Sequence, residues 1–309
     1  MKDMPEVALG ILVFNQAPYI QDLFSSVSSQ SLMPKSIVIV DNASTDASLK
    51  NLKRGLRDFG IESISKLVAN DSNTGSAAGL RQLLELCSSK YLAIVHGDDV
   101  LLDNYFRVVQ EEIVKEPEVQ ALNVSLLAFA NDSEAILPKS VYRPLWTNFA
   151  KLNKLLVSGL NPGVMPGSVF NRDFILRNNL LDFSEKINGV EDTLLWLRII
   201  RAGGRIKGIP GELYKYRIHQ SQFSFDDRKN SYFFGLARRL NINEANGFLE
   251  RALAASEISH EAKRFGKDSE YIQGLQSSYF EKFHRYRILR FMNVFIRRLA
   301  TILLELNYK

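Results

Sequence analysis

Two adjacent carboxylates at the end of an apolar run are the residues best placed to do chemistry. Tyr91 to Val95 has the composition of a buried strand and runs without a spacer into His96, Gly97, Asp98 and Asp99. In open α/β sheets ligands sit at the carboxyl ends of strands, so this position counts as much as the residue types. Neighbouring aspartates at a dry strand end repel one another unless a cation or hydrogen-bond donors neutralise them, and hard divalent metals favour such oxygen ligands. The pair could equally cap the helix whose pattern begins near Asp103 and carries Tyr105, Phe106, Val109 and Ile113. A second acidic pair, Glu191-Asp192, opens an apolar helical stretch. It suits the positive end of a helix dipole.

The elements that must position these groups alternate. Val7 to Phe14 reads as a first strand, turned out by Asn15 to Pro18, and Tyr19 to Ser29 has helical spacing. Ser36 to Val40 reads as a second strand ending in Asp41-Asn42-Ala43-Ser44-Thr45-Asp46. Ser44 or Thr45 is then the expected cap of a helix carrying Leu49, Leu52 and Leu56. Lys66 to Ala69 is a third strand, Asn70 to Gly75 a polar loop, and Ala77 to Leu86 a helix ahead of the strand that ends at the carboxylates. Alternation of this kind implies a mostly parallel sheet with helices packed on it. Beyond it, Ala121 to Ala130 reads as a strand, Asn161 to Ser168 as a turn-rich loop, and Thr193 to Ala202 as a helix. Arg205 to Ile209 and Leu213 to Ile218 read as two short strands before His219, and the chain turns helical after Asp226.

Composition sets the limits. A chain of 309 residues can bury a full core. The apolar Val7 to Phe14 is too short and too acidic in its flank for a signal peptide, and arginines interrupt the apolar tail, so no span is expected. The single Cys87 excludes an internal disulfide framework and fits a reducing, cytoplasmic setting. Residues 228–309 hold 15 Lys and Arg against 8 Asp and Glu, a balance of +7, which leaves −2 for residues 1–227 out of a net +5. A basic tail suits an acidic surface. No reading motif accompanies the charge, so nucleic acid is not an expected partner. Phe280 to Lys309 mixes a broad apolar face with basic flanks. That pattern fits packing or a homodimer, or else peripheral contact with the cytoplasmic face of a membrane.

Taken together, Val13-Phe14-Asn15 with Tyr19-Ile20, Val40-Asp41-Asn42-Ala43-Ser44-Thr45-Asp46, Asn73 to Gly75, Gly97-Asp98-Asp99 and Glu191-Asp192 resemble a known family. Their order and spacing are similar to those of the inverting nucleotide-sugar glycosyltransferases of family two. The resemblance covers roughly the first 225 residues. It implies a GT-A-like (Rossmann-like) α/β fold, its mostly parallel sheet flanked by helices on both faces, plus a C-terminal helical extension. The implied domains are a catalytic 1–227, with a nucleotide-binding half 1–120 and an acceptor half 121–227, and a helical basic extension 228–309. It further implies transfer of a sugar from a UDP-, GDP- or dTDP-linked donor to a glycan or lipid-linked hydroxyl, assisted by Mn²⁺ or Mg²⁺. Carried over residue by residue, Asp192 becomes the base and Glu191 its orienting neighbour. Phe14, Asn15, Asp41 and Asn73 become nucleotide contacts, and Asp98 and Asp99 hold metal and sugar. Arg217 and His219, in a segment resembling the one that closes over the phosphates, become phosphate or metal contacts. Many relatives carry a further aspartate where this chain has His96. Read without the family, Phe14 could be core and Asp41 could merely shape a turn. A nucleotidyltransferase and a non-catalytic scaffold of the same fold are the rival readings; the first lacks its glycine-rich phosphate loop between Leu12 and Pro18.

Overall fold

Four parallel strands form the half of the sheet on which the polar strand ends line up. They are β1 (Val7–Val13), β2 (Ile37–Asp41), β3 (Ser65–Ala69) and β4 (Tyr91–His96), ordered β3-β2-β1-β4. Register aligns their ends: Val13 pairs with Asp41, Asp41 with Ala69, and Leu12 with His96. The polar residues that follow therefore emerge along one edge. This computed structural model describes residues 4–130, 141–142, 165–183, 187, 189–219, 222, 227–246, 251–256, 258, 269–276, 291 and 294–295.

Alternate side chains of these strands go to opposite faces. Leu9, Ile11, Val13, Ile37 and Ile39 join one cluster with α1 (Ile20–Ser28), α2 (Ser48–Asp58) and α4 (Tyr105–Lys115), through Leu23, Phe24, Leu52, Phe106 and Val109. On the other face α3 (Ser76–Leu86) packs on β1 and β2. The sheet continues through β8 (Val169–Asn171), β6 (Val119–Phe129), β9 (Arg205–Arg217) and β5 (Val100–Leu101), with β7 (Val141–Tyr142) on β6. β6 and β9 run parallel, whereas β5, β7 and β8 run against their neighbours, so the sheet is mostly parallel.

Three local expectations change. β9 is one strand: Gly211 takes a positive φ of 92° and the register with β6 slips around Ser125, which absorbs the irregularity that reads as a break. Asp98 and Asp99 cap nothing, because β5 intervenes and Asn104 precedes α4. Nor does Ser44 or Thr45 cap α2, which starts at Ser48, where Asp46 Oδ1 accepts from the Ser48 N–H at 2.8 Å.

The chain divides into two compact units. One comprises Met1–Pro144, Val164–Asp182 and Gly204–His219; the other comprises Leu145–Gly163, Phe183–Gly203 and Gln220–Lys309. In the second, Glu244 at the end of α7 (Asp227–Glu244) pairs with Arg198 and Arg201 of α6 (Glu191–Arg201). The sequence boundary at 227/228 therefore falls within this unit. α7 also packs on α8 (Ser269–Leu275). α5 (Arg172–Arg177) follows β8 in the first unit. Among the described residues no helix is long and apolar enough to cross a membrane. Most of Phe280 to Lys309, and Asn161 to Val164 of the turn-rich loop, lie outside them.

Candidate active site

The end of β2 is a net of neutral hydrogen bonds around one buried carboxylate. Asp41 is buried, and the Ser44 hydroxyl donates to its Oδ1. Ser44 Oγ in turn accepts from the Asn15 N–H at 2.9 Å, while Asn15 Oδ1 accepts from the Thr45 N–H at 2.8 Å. Asn15 and Ala43 both hold positive φ, 53° and 64°, a conformation that short polar side chains can stabilise locally. Asn42, also buried, gathers the next loop. Its Nδ2 donates to Asn73 Oδ1 at 3.1 Å and to the Gly75 carbonyl at 3.2 Å, and its Oδ1 accepts from the Thr74 N–H at 3.1 Å and from Asn70 Nδ2 at 3.2 Å. Asn73 Oδ1 also accepts from the Gly75 N–H. Beside this net Phe14 is 44% exposed, so it is not core.

The end of β4 is built from charges. Asp98 is buried, with Oδ2 2.9 Å from His219 Nε2. Burial disfavours its charge, but the His219 hydrogen bond and the nearby His96 outweigh that and hold the carboxyl below its usual range. Asp99 is fully buried; Oδ2 accepts from the Tyr214 hydroxyl at 2.7 Å and Oδ1 from the Arg217 N–H at 2.8 Å. Burial first, and the charge of Asp98 second, push its carboxyl well up. His96, Asp98 and Asp99 offer ligand atoms that all lie within 4.8 Å of one another.

Arg217 lies beneath this end, only 1% exposed. Its Nε donates to the Asp98 carbonyl at 2.6 Å and an Nη donates to Asp22 Oδ2 at 2.8 Å. Its guanidinium carbon lies 4.9 Å from the ring centre of Tyr19 and 4.5 Å from that of Phe129. Tyr19 also stacks on His219, with ring centres 4.8 Å apart. A cavity of about 500 Å³ opens beside this support, lined among others by Asp22, Ser25, Asp103, Lys215 and Arg217 and by neither carboxylate of the pair.

Gly97 joins the two ends. A Cβ there would stand 2.5 Å from Gln16 Oε1 and 2.9 Å from Val13 Cγ2. Gln16 is tied by its N–H to Ser48 Oγ at 2.8 Å, and its buried Oε1 has no hydrogen-bond partner among the described residues.

The acidic pair on α6 belongs to the second unit. Glu191 is buried; Asp192 is half-buried in the first helical turn, with Oδ1 accepting from the Thr193 N–H at 2.6 Å. The first unit thus brings Phe14, Asn15, Asp41 and Asn73 to one strand end and Asp98, Asp99, Arg217 and His219 to the other. Asn42, Ser44, His96, Tyr214 and Asp22 complete these ends without having been assigned roles there from the sequence. Asn42 and Ser44 stand inside the motif after β2, and His96 borders the carboxylates. Tyr214 and Asp22 carry no local signal, since their partners are more than 100 residues away.

Residues 9–178 match the family model described as "Glycosyl transferase family 2", more than half of the chain. The chain is a member of glycosyl transferase family 2. An uncharacterized glycosyltransferase of Haemophilus influenzae is 25% identical over 228 residues, covering 72% of this family 2 chain and 69% of the relative. The Staphylococcus aureus poly(ribitol-phosphate) beta-N-acetylglucosaminyltransferase TarS is 21% identical over 81% of the chain, which spans 42% of that protein. In structure, S. aureus TarS 1–349 in complex with UDP-GlcNAc matches at a TM-score of 0.68 with 15% identity, covering 90% of this chain and 81% of that one. The mannosyltransferase PcManGT of Pyrobaculum calidifontis, in complex with GDP-Man and Mn²⁺, matches at 0.59 with 16% identity, covering 97% and 87%. These matches establish a GT-A fold, and the family establishes a glycosyltransferase, with relatives that include a poly(ribitol-phosphate) beta-N-acetylglucosaminyltransferase.

Proposed function

We propose that this glycosyltransferase moves a sugar from a nucleoside-diphosphate donor to a hydroxyl acceptor with inversion, and that it needs a divalent cation to do so. The observation that carries this reading is the pairing of two unlike strand ends on either side of β1. The end of β2 surrounds its one buried carboxylate with amides and hydroxyls and is flanked by an exposed aromatic; the end of β4 gathers ionisable groups. Two strand spacings separate them, about 9–10 Å, a span suited to a base at one end and a diphosphate at the other. Phe14 offers a face to a nucleobase, and Asp41 an acceptor for a ring N–H. Asn15 and Asn73 shape this pocket, their side-chain oxygens being engaged in holding its loops.

The donor set at β4 fits Mn²⁺ or Mg²⁺ in the mode in which one carboxylate and phosphate oxygens share the ion, with Asp98 as that carboxylate and His96 and His219 at its sides. Bound there, the ion would supply Lewis-acid stabilisation of the departing diphosphate. Asp99, with both oxygens accepting, orients Tyr214 and the Arg217 backbone; a role toward sugar hydroxyls would require it to exchange these partners. The buried Arg217 fits a supporting role under Asp98 better than a direct phosphate contact. Asp192 takes the proton of the incoming hydroxyl and Glu191 orients it, roles that rest on the family pattern and on their place in the first turn of α6. TarS, by its name, acts on poly(ribitol phosphate), which supports a glycan or other polymer hydroxyl as acceptor. The lone cysteine supports a cytoplasmic setting for the reaction.

The test is a panel of UDP-, GDP- and dTDP-sugars incubated with the full chain and with Mn²⁺, Mg²⁺ or chelator, following release of free nucleotide. Cation-dependent release from one donor is the expected result; equal release in chelator would remove the metal from the mechanism.

A further inference from the structure

Asp22 lies on α1 just after the Tyr19-Ile20 motif, and its side chain is 56% exposed. An acidic residue in the first turn of a helix ordinarily needs no explanation beyond the helix dipole. Here it also reaches the guanidinium of Arg217, whose side chain is 1% exposed. A buried guanidinium is costly unless charges and hydrogen bonds compensate it. Arg217 touches both halves of the acidic turn: its Nε donates to the carbonyl of Asp98 at 2.6 Å and its N–H donates to Asp99 Oδ1 at 2.8 Å. The chain of contacts from Asp22 through Arg217 to Asp98 and Asp99 is therefore continuous.

We infer that Asp22 is a positioning residue for the acidic turn: by holding the Arg217 side chain it fixes the carbonyl of Asp98, and so sets how tightly that turn holds a divalent cation. The clause about the cation rests on the function proposed above; the clause about the turn does not. Asp22→Asn keeps the size of the side chain and removes the charge. The Arg217 guanidinium then loses its ionic partner on α1, and the Asp98 carbonyl loses a fixed donor.

Two measurements on the full chain test this. Hydrogen exchange without metal should speed up in Asp22→Asn at residues 97–101 and 214–217 and stay unchanged at 41–45 and 70–75, while Asp22→Glu, which keeps the charge, restores protection. Asp58→Asn, which removes an exposed ion-pair partner of Arg54 on α2, should match the parent chain. Titration with Mn²⁺ alone, followed by calorimetry, should show affinity falling about tenfold in Asp22→Asn, less than a fully buried pair would give because Asp22 is half in water. Unchanged exchange at 97–101 would overturn the positioning role, and so would loss of protection spread evenly over the first unit. Unchanged Mn²⁺ affinity beside faster local exchange would overturn the control of the cation. Should the parent chain itself take up no Mn²⁺ or Mg²⁺, the proposed metal dependence fails while the exchange data still decide on Asp22.

Discussion

The ends of β2 and β4 each present a buried aspartate, yet they are built from different chemistry. Around Asp41 the partners are amides and hydroxyls: Ser44 touches it, and Asn15, Asn42, Asn70 and Asn73 tie the adjoining loops together. Around Asp98 they are ionisable: His219, His96, Asp99 and, beneath, Arg217. A net of amides and hydroxyls gives directional hydrogen bonds, which suits an uncharged ring. A charged cluster is worth assembling where charge must be received. The difference fits the proposed donor, with its base toward one end and its diphosphate toward the other.

The largest effect should come from a residue outside both. Asp192→Asn should slow transfer by about 10²–10⁴-fold while leaving donor and metal affinity in place, as a lost proton acceptor does. Turnover like that of the parent chain would remove Asp192 from the mechanism. Next, Asp98→Ala should make donor binding insensitive to Mn²⁺ and lower turnover by roughly 10²–10³-fold, equivalent to a few kcal/mol of lost charge stabilisation. Calorimetry finding the same donor affinity gain with Mn²⁺ as before would collapse the distinction between the ends. Asp41→Ala should weaken free nucleotide and nucleotide sugar alike, by about 1–3 kcal/mol, and leave the Mn²⁺ response intact. An effect on the sugar nucleotide alone would place Asp41 elsewhere. The smallest change is Tyr214→Phe, which removes one donor to Asp99; unfolding should register about 1 kcal/mol, with nucleotide affinity unaffected in the absence of metal.

The end of β2 is the more legible of the two in the sequence. Apolar runs that break abruptly into Asn, Asp and Ser mark strand ends, and the β2 net is closed by residues within about 35 positions of one another. The carboxylates of the β4 end are equally visible. Arg217 and His219 are legible through the family resemblance alone, and Tyr214 not at all, because a contact across more than 100 residues leaves no local pattern. Arg217 reads as a phosphate or metal contact because its segment resembles the one that closes over the phosphates in the family; the fold adds that it is buried and that its Nε donates to the Asp98 carbonyl. Pro210-Gly211 reads as a strand break for good local reasons. The pairing of β6 with β9 on both sides of it carries the strand through. Ser44 has the composition of a cap, but Asp41 and the Asn15 amide claim its hydroxyl.

Gly97 bears on anyone who would re-engineer this enzyme. The loop that follows β1 and the turn that follows β4 look like separate cassettes, one to exchange for a new nucleobase preference and one to exchange for a new cation. The space left for a side chain at 97 is smaller than a methyl group, bounded by the mobile tip of Gln16 and the stiff, β-branched Val13. Gln16 could swing aside; Val13 could not without moving its strand. Grafting either cassette alone would therefore disturb the other, and a workable transplant has to carry residues 13, 16 and 97 as a set.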